Sequence, residues 1–232
     1  SWRQADTSSV SRNYVSNGFD LLHPKFDDLS NVGSGLDNPN GYRFVEFPIY
    51  NVLQGLFYKV FNFITLEQWG RLVSIFASLF SALFLFLLVR KRFGFLAGLL
   101  TSFFFLFIPF NIYYSRTILP DPSMVTAILG GTYFFDKWLT KSSKLKVFNL
   151  NFILALFLTT CAFLLKPYAL FFTIPLIYLA YEKFGFSFIK KWQLWGFLIV
   201  SVLPLSFWRI FMLSYPEGIA SNAWLFNEGN IR

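Results

Sequence analysis

Charged residues are scarce in this chain of 232 residues: only 14% are Asp, Glu, Lys or Arg, whereas 55% are hydrophobic and 33 are phenylalanine. An ordinary soluble domain has roughly 25% charged residues, so the composition excludes that class and favours a protein of the lipid bilayer. Cysteine and histidine are also nearly absent. The single Cys161 cannot form an intrachain disulfide, and the single His23 has no neighbouring histidine or cysteine with which to hold a metal ion.

Acidic residues are fewer than basic ones, 12 against 20, which gives a formal net charge of +8. Proteins that bind nucleic acid cluster Lys and Arg on a solvated face. Here many basic residues instead form short clusters between apolar runs, where such charges orient a membrane protein. The lipid bilayer is therefore an expected partner and nucleic acid is not.

The polar residues are concentrated in positions 1–69, which we interpret as an extracytoplasmic loop. Within it, residues 4–18 have apolar side chains at helical spacing and predict a short amphipathic helix, and residues 47–63 suit a helix at the membrane interface. The chain begins at Ser1 without a preceding apolar segment and stops at Arg232 with no closing feature, so we expect a fragment with sequence missing at both ends.

Long apolar runs follow this loop. A helix needs about 20 apolar residues to cross a bilayer. The runs predict six spans within residues 70–213, at about 72–89, 94–112, 124–135, 147–165, 169–181 and 194–208, followed by the start of a further extracytoplasmic loop at 214–232. The predicted fold is an all-α integral membrane protein, a polytopic helix bundle.

Basic residues predict which turns are cytoplasmic. The turns after the first, third and fifth spans hold clusters, namely Arg90, Lys91, Arg92; Lys137, Lys141, Lys144, Lys146; and Lys183, Lys190, Lys191. The intervening turns hold only Arg116 and Lys166. By the positive-inside rule the clustered turns are cytoplasmic, so the first loop and the intervening turns face outward.

Five charged residues from distant segments map to that outward face: Asp6, Glu46, Arg116, Asp121 and Lys166. Charges near the membrane are costly unless they are paired or open to a water-filled cavity, so such residues tend to mark function. Their convergence predicts a single site.

A simpler interpretation stays open for each of these residues. Asp6 is suited to cap the N-terminus of the first helix, and Glu46 is close enough in sequence to pair with Arg43. Arg116 and Asp121 could form a structural ion pair in a turn that two prolines hold extended. Lys166, at a span end, could extend to the outer head groups.

Several short motifs occur in a characteristic order. They are a Trp-x-x-x-Asp head at residues 2–6, Glu46-Phe47-Pro48, residues 70–74 (Gly-Arg-Leu-Val-Ser), Arg116 to Pro122, and Leu165-Lys166-Pro167. Together they resemble the GT-C glycosyltransferases, and within them the dolichyl-phosphate-mannose protein mannosyltransferase and aminoarabinose transferase branch. The resemblance covers essentially the whole chain, and it depends on the order and shared membrane side of the motifs.

The resemblance implies a glycosyltransferase that moves a sugar from a polyprenyl-phosphate donor to an acceptor hydroxyl, with inversion, at the outward face of the plasma membrane. The acceptor could be a protein, a lipid or a glycan. No Gly-rich motif of the kind that binds nucleotides is present, which agrees with a lipid-linked donor. A transporter or flippase is the alternative, although the span interiors lack charge and the two halves show no repeat. A membrane scaffold is a third option.

The family's functional residues can be transferred one at a time. Asp6 sits where the family has the catalytic carboxylate that takes the acceptor proton. Glu46 matches a second loop acid, which in some members helps to hold a metal ion or the acceptor, so a divalent metal at Glu46 is an open expectation. Lys166 matches a lysine that contacts the lipid phosphate, with proline following it in place of the family's glycine. Arg116 and Asp121 match a segment that lines the same cavity.

Overall fold

The computed structural model describes residues 2–141, 145, 147 and 149–220. In that part of the chain the β-type pairing consists of two isolated bridges, Lys25 with Tyr42 and Phe44 with Ile219. The α-helices are α1 (Trp2–Asn17), α2 (Ile49–Val60), α3 (Leu66–Phe93), α4 (Phe95–Phe107), α5 (Pro109–Tyr114), α6 (Asp121–Lys141), α7 (Leu150–Leu165), α8 (Thr173–Phe184) and α9 (Trp192–Met212), and 3₁₀ turns cover Pro167–Phe172, Gly185–Lys190 and Pro216–Gly218. The predicted all-α membrane fold is confirmed.

Three helical segments are long and apolar enough to cross a membrane, judged by length and composition: Leu66–Phe93, Pro167–Lys190 and Trp192–Met212. The helices α4 and α7 are apolar but shorter. Helix α6 covers the predicted span 124–135 and continues past it to include the charged Asp136 and Lys137. The division into six spans stays a prediction. Lys144, Lys146 and residues 221–232, which that division assigns to loops, lie outside the described residues.

The residues at the N-termini of α3 and α6 differ from the sequence-based expectation. Helix α3 starts before the predicted span because Thr65 and Gln68 cap each other reciprocally, with Thr65 N–H donating to Gln68 Oε1 at 2.8 Å and Gln68 N–H donating to Thr65 Oγ1 at 3.2 Å. Helix α6 begins at Asp121, so Pro122 lies in its first turn. A proline there loses no helical hydrogen bond, and the expectation that two prolines hold this turn extended is therefore wrong for Pro122.

The chain forms two compact units, which we name separately. The head unit comprises Ser1–Val73, Thr117–Leu119 and Ser206–Arg232, and the helical unit comprises Ser74–Arg116 and Pro120–Leu205. Each unit has its own buried contacts.

In the helical unit α6 packs along α7 and α8. The centre of this packing is Trp138, which is fully buried and lies against the rings of Phe135, Phe152 and Phe197. Further along the same helix Gly131 allows α7 to approach closely, since a Cβ there would lie 2.7 Å from Thr159 Oγ1. Aromatic bulk near the C-terminus of α6 and a missing side chain at its middle thus set the spacing of α6 and α7.

In the head unit α1 packs against α2. The first helix was predicted as amphipathic, and it forms, but its buried face is largely serine. Ser11 Oγ donates to Gln54 Oε1 at 2.8 Å, and the Gln54 amide donates to the carbonyl of Leu66 at 2.9 Å. Ser11 and Gln54 thus satisfy each other across a close helix contact, whereas in the described structure Ser8 Oγ and the Tyr14 hydroxyl on the same buried face have no hydrogen-bond partner.

The loop between α1 and α2 folds back on itself. The Asn38 side chain both donates to Tyr42 O and accepts from Tyr42 N–H, each at 2.9 Å. Gly41 has a φ of +63°, and a Cβ at this position would lie 2.7 Å from the Phe26 carbonyl oxygen. The turn therefore requires glycine at position 41. The reversed chain then places Arg43, two residues later, next to α1.

Candidate functional site

Asp6 lies inside α1 and faces an arginine. Arg43 Nη2 is 3.0 Å from Asp6 Oδ2, and the two side chains are only 14% and 21% exposed. Because α1 begins at Trp2, Asp6 sits beyond the first turn and does not cap the helix. The N-cap interpretation of Asp6 is therefore wrong, and a partly buried ion pair takes its place.

Arg43 is held on both its backbone and its side chain. Its N–H donates to the Pro24 carbonyl at 2.8 Å. Its guanidinium lies over the Phe26 ring, 4.9 Å from the ring centroid. A cation over an aromatic ring is attracted by the ring and stays in place, so the loop presents a fixed cation to Asp6.

Glu46 joins the same cluster through a second arginine. Arg3 Nη2 donates to Glu46 Oε1 at 3.0 Å, and the Glu46 side chain is 18% exposed. Arg3 lies one turn before Asp6 on α1, so this helix contributes one partner to each pair. The sequence left open a pair between Glu46 and Arg43. In the fold Arg43 forms an ion pair with Asp6 and Glu46 forms one with Arg3, while the Glu46 charge also acts on Arg43.

Burial and charge act in opposite directions on this cluster. Burial raises the pKa of Asp6, Arg43 opposes that change by stabilising the carboxylate, and Asp28 adds to the increase. Burial also lowers the pKa of Arg43, which Asp6 and Glu46 oppose. A carboxyl group whose pKa is raised toward neutrality is a stronger base once ionised, which suits a residue that must accept a proton.

In the helical unit Asp121 and Lys166 form a second cluster. Lys166 Nζ is 3.8 Å from Asp121 Oδ2, and the Lys166 side chain is 7% exposed. The Tyr168 hydroxyl donates to Asp121 Oδ1 at 3.1 Å. Lys166 is thus buried at the C-terminus of α7 beside a carboxylate, an arrangement unlike a lysine that extends to head groups at the protein surface.

Arg116 does not pair with Asp121. Its Nε donates to the carbonyl of Ile112 at 3.1 Å, one turn back along the chain. The ion pair proposed between Arg116 and Asp121 is therefore absent from the described structure, because Lys166 takes the place of the arginine.

The donor set at Glu46 does not fit a divalent cation. One carboxylate oxygen receives a guanidinium N–H from Arg3, and the described residues contain no group of three or more His, Cys, Asp or Glu side chains that could hold a metal. His23 has other partners: its Nδ1 is 3.0 Å from Asp20 Oδ2, and its Nε2 is 3.2 Å from the Tyr215 hydroxyl.

The sequence missed Arg3 and the position of Arg43. Both residues are visible as charges in the motifs of the polar head, but their partners lie about forty residues away. The available signal was the position of the two acids in the quoted motifs, each three residues after an arginine, since carboxylates in a partly buried site require cations. Which arginine meets which acid depends on the turn at Gly41.

Comparison with known proteins gives a family match. The family model described as dolichyl-phosphate-mannose-protein mannosyltransferase matches residues 40–210. The matched stretch includes Glu46, Arg116, Asp121 and Lys166 and begins after Asp6. No curated protein and no solved structure matches the chain.

Proposed function

The chain belongs to the dolichyl-phosphate-mannose-protein mannosyltransferase family, which makes it a membrane glycosyltransferase of the mannosyltransferase type, and we propose that it takes its sugar from a polyprenyl-phosphate donor. The acceptor is a hydroxyl group on a protein, a lipid or a glycan. The reaction takes place on the extracytoplasmic side of the plasma membrane. The sidedness is supported by the basic clusters, which leave the outward turns with few cations.

The observation that carries the proposal is the partly buried Asp6–Arg43 pair. Asp6 acts as the general base. As the acceptor oxygen attacks the anomeric carbon, the proton of the hydroxyl passes to the Asp6 carboxylate, and the bond between that carbon and the phosphate oxygen breaks. A direct displacement of this kind inverts the sugar carbon. Arg43 keeps Asp6 ionised in a site where burial alone would favour the protonated acid.

The departing polyprenyl phosphate gains negative charge, and cations must stabilise it. We assign this role to Lys166, with Arg116 as a second donor. The support is that Lys166 is buried, where a charge-assisted hydrogen bond to phosphate is stronger than in water. Asp121 holds Lys166 until the phosphate approaches. Glu46, fixed by Arg3, lines the acceptor side of the Asp6 cluster.

The experiment is transfer from dolichyl-phosphate mannose carrying a radiolabelled sugar, measured in membranes that contain the protein and its native acceptors. Asp6→Asn keeps the shape of the side chain and removes the base, so we expect the turnover rate to fall by about 10²–10⁴. Asp27→Asn is the matched control, because Asp27 likewise pairs with an arginine, Arg12, at 2.7 Å, but is exposed. Activity of Asp6→Asn near wild type would rule out the base assignment.

A further inference from the structure

A basic groove lies at the ends of α3 and α6 that are predicted to be cytoplasmic. Its volume is about 500 Å³, and its lining is Leu87, Arg90, Lys91, Tyr133, Lys137 and Thr140. All six residues belong to the helical unit. Three of them are cations, two carry hydroxyl groups, and the lining contains no acid. We propose that this groove binds the phosphate head group of an anionic phospholipid, a site separate from that of the lipid-linked sugar.

The cations of the groove are not equivalent. Lys91 Nζ donates to Asp136 Oδ2 at 2.6 Å, and the Asp136 side chain is only 5% exposed. Arg92 approaches the other oxygen of Asp136 at 3.5 Å. The buried acid is therefore neutralised by cations from α3, and its charge does not cancel those of Arg90 and Lys137.

Arg90 and Lys137 are oriented by aromatic rings. The guanidinium of Arg90 lies 5.7 Å from the Phe86 ring centroid, and Lys137 Nζ lies 4.5 Å from that of Tyr133. In the described part of the chain neither cation forms a salt bridge. A cation on a ring face keeps its remaining N–H donors available, and phosphate oxygens are the acceptors that suit them.

The apolar wall of the groove favours a lipid over free phosphate. Leu87 lies one turn before Arg90 on α3, so the apolar side chain and the cation are successive levels of one helix face. The helix is long and apolar enough to cross a membrane and ends in Arg90, Lys91 and Arg92, at head-group level. An acyl chain would run along Leu87 while the phosphate meets Arg90 and Lys137.

The test uses the full chain in neutral detergent, titrated with fluorescent phosphatidylglycerol, with phosphatidylcholine and inorganic phosphate as competitors. The groove variant is Arg90→Gln with Lys137→Gln. The matched control is Lys190→Gln with Lys191→Gln, which removes two cations from another predicted cytoplasmic turn; Lys191 likewise lies over a ring, that of Phe184, at 5.4 Å. Each cation near lipid head groups typically contributes enough for a roughly fivefold change, so the groove variant should bind about thirtyfold more weakly.

We expect the control to bind within about twofold to threefold of wild type, and Arg90→Lys with Lys137→Arg to retain binding because it keeps both charges. Equal weakening in the groove variant and the control would overturn the proposal, since general surface charge would then explain the binding. Displacement by millimolar phosphate would reassign the groove to a free anion, and equal affinity for phosphatidylcholine would remove the anion requirement. If the double variant does not fold, the single variants Arg90→Gln and Lys137→Gln are compared with Lys190→Gln by the same criteria.

Discussion

Replacing Arg43 with glutamine should move the acidic limb of the pH–rate profile to higher pH. Asp6 acts as a base only when it is ionised, so activity rises as pH increases through the pKa of this carboxyl group. Burial already raises that pKa, and Arg43 opposes the increase. Without the arginine, the pKa of Asp6 rises further and a higher pH is needed to reach the same ionised fraction.

The geometry of the pair gives the size of the effect. Arg43 Nη2 and Asp6 Oδ2 are 3.0 Å apart, with 14% and 21% of the side chains exposed. Two unit charges about 4 Å apart attract each other by about 1 kcal/mol in water and by about 4 kcal/mol at an effective dielectric constant of about 20. Because the pair is mostly but not fully buried, we expect a value between these limits. Each 1.4 kcal/mol lowers the ionised fraction about tenfold on the acidic limb.

The assay is the initial rate of sugar transfer from dolichyl-phosphate mannose across the pH range, for wild type, Arg43→Gln and the control Arg12→Gln. Arg12 also comes from the head unit and pairs with an acid, Asp27, at 2.7 Å, but both side chains are about half exposed. Loss of the Arg12 side-chain charge should leave the acidic limb of the pH–rate profile at the same pH. If Arg43→Gln lowers activity equally at every pH without moving the limb, Arg43 only positions the loop, and its effect on the ionisation of Asp6 is refuted.

Two further predictions concern the helical unit. Lys166→Ala should weaken donor binding by about tenfold to a hundredfold, the usual contribution of a charge-assisted hydrogen bond, and Lys166→Arg should recover part of the lost affinity. Donor affinity is measured by competition, and unchanged affinity in Lys166→Ala would refute the phosphate contact. Gly131→Ala should lower the stability of the protein by about 1–3 kcal/mol, because the new Cβ would meet Thr159 Oγ1 at 2.7 Å. The control Gly196→Ala places its Cβ in open space and should be neutral or slightly stabilising. Thermal unfolding in detergent compares the two variants, and equal effects would contradict the packing argument.

The apolar runs predicted helices well because hydrophobic length and helix length are closely linked in a membrane protein. The boundaries were less predictable. The run at 169–181 begins as the 3₁₀ turn Pro167–Phe172 before α8 starts at Thr173, and α3 extends back to Leu66 through its capping residues. Such details depend on single side chains and on hydrogen bonds that composition does not specify.

The candidate site was predictable as residue types and not as pairs. The lysine at the end of α7 stands out because the surrounding sequence is apolar, whereas Asp6 and Glu46 stand out through the short motifs that contain them. Their partners follow from the fold. Arg43 reaches Asp6 only because Gly41 reverses the chain, and Lys166 meets Asp121 only because α6 and α7 pack side by side. No local spacing rule contains this information.

Helix α6 has two acids, Asp121 and Asp136, that form ion pairs near its opposite ends. Asp121 is anchored to Lys166 near one end, and Asp136 is anchored to Lys91 near the other. About four helical turns separate them, roughly 22 Å at 1.5 Å per residue, which is less than the hydrocarbon thickness of about 30 Å. In the predicted six-span division α6 crosses the bilayer, and a membrane of ordinary depth would then place at least one anchored acid below the level of the lipid phosphates. Neither sliding nor rotation of α6 could bring both acids to the surface together, so the six-span prediction implies a membrane that is thinner around this helix or a recess above one of its ends.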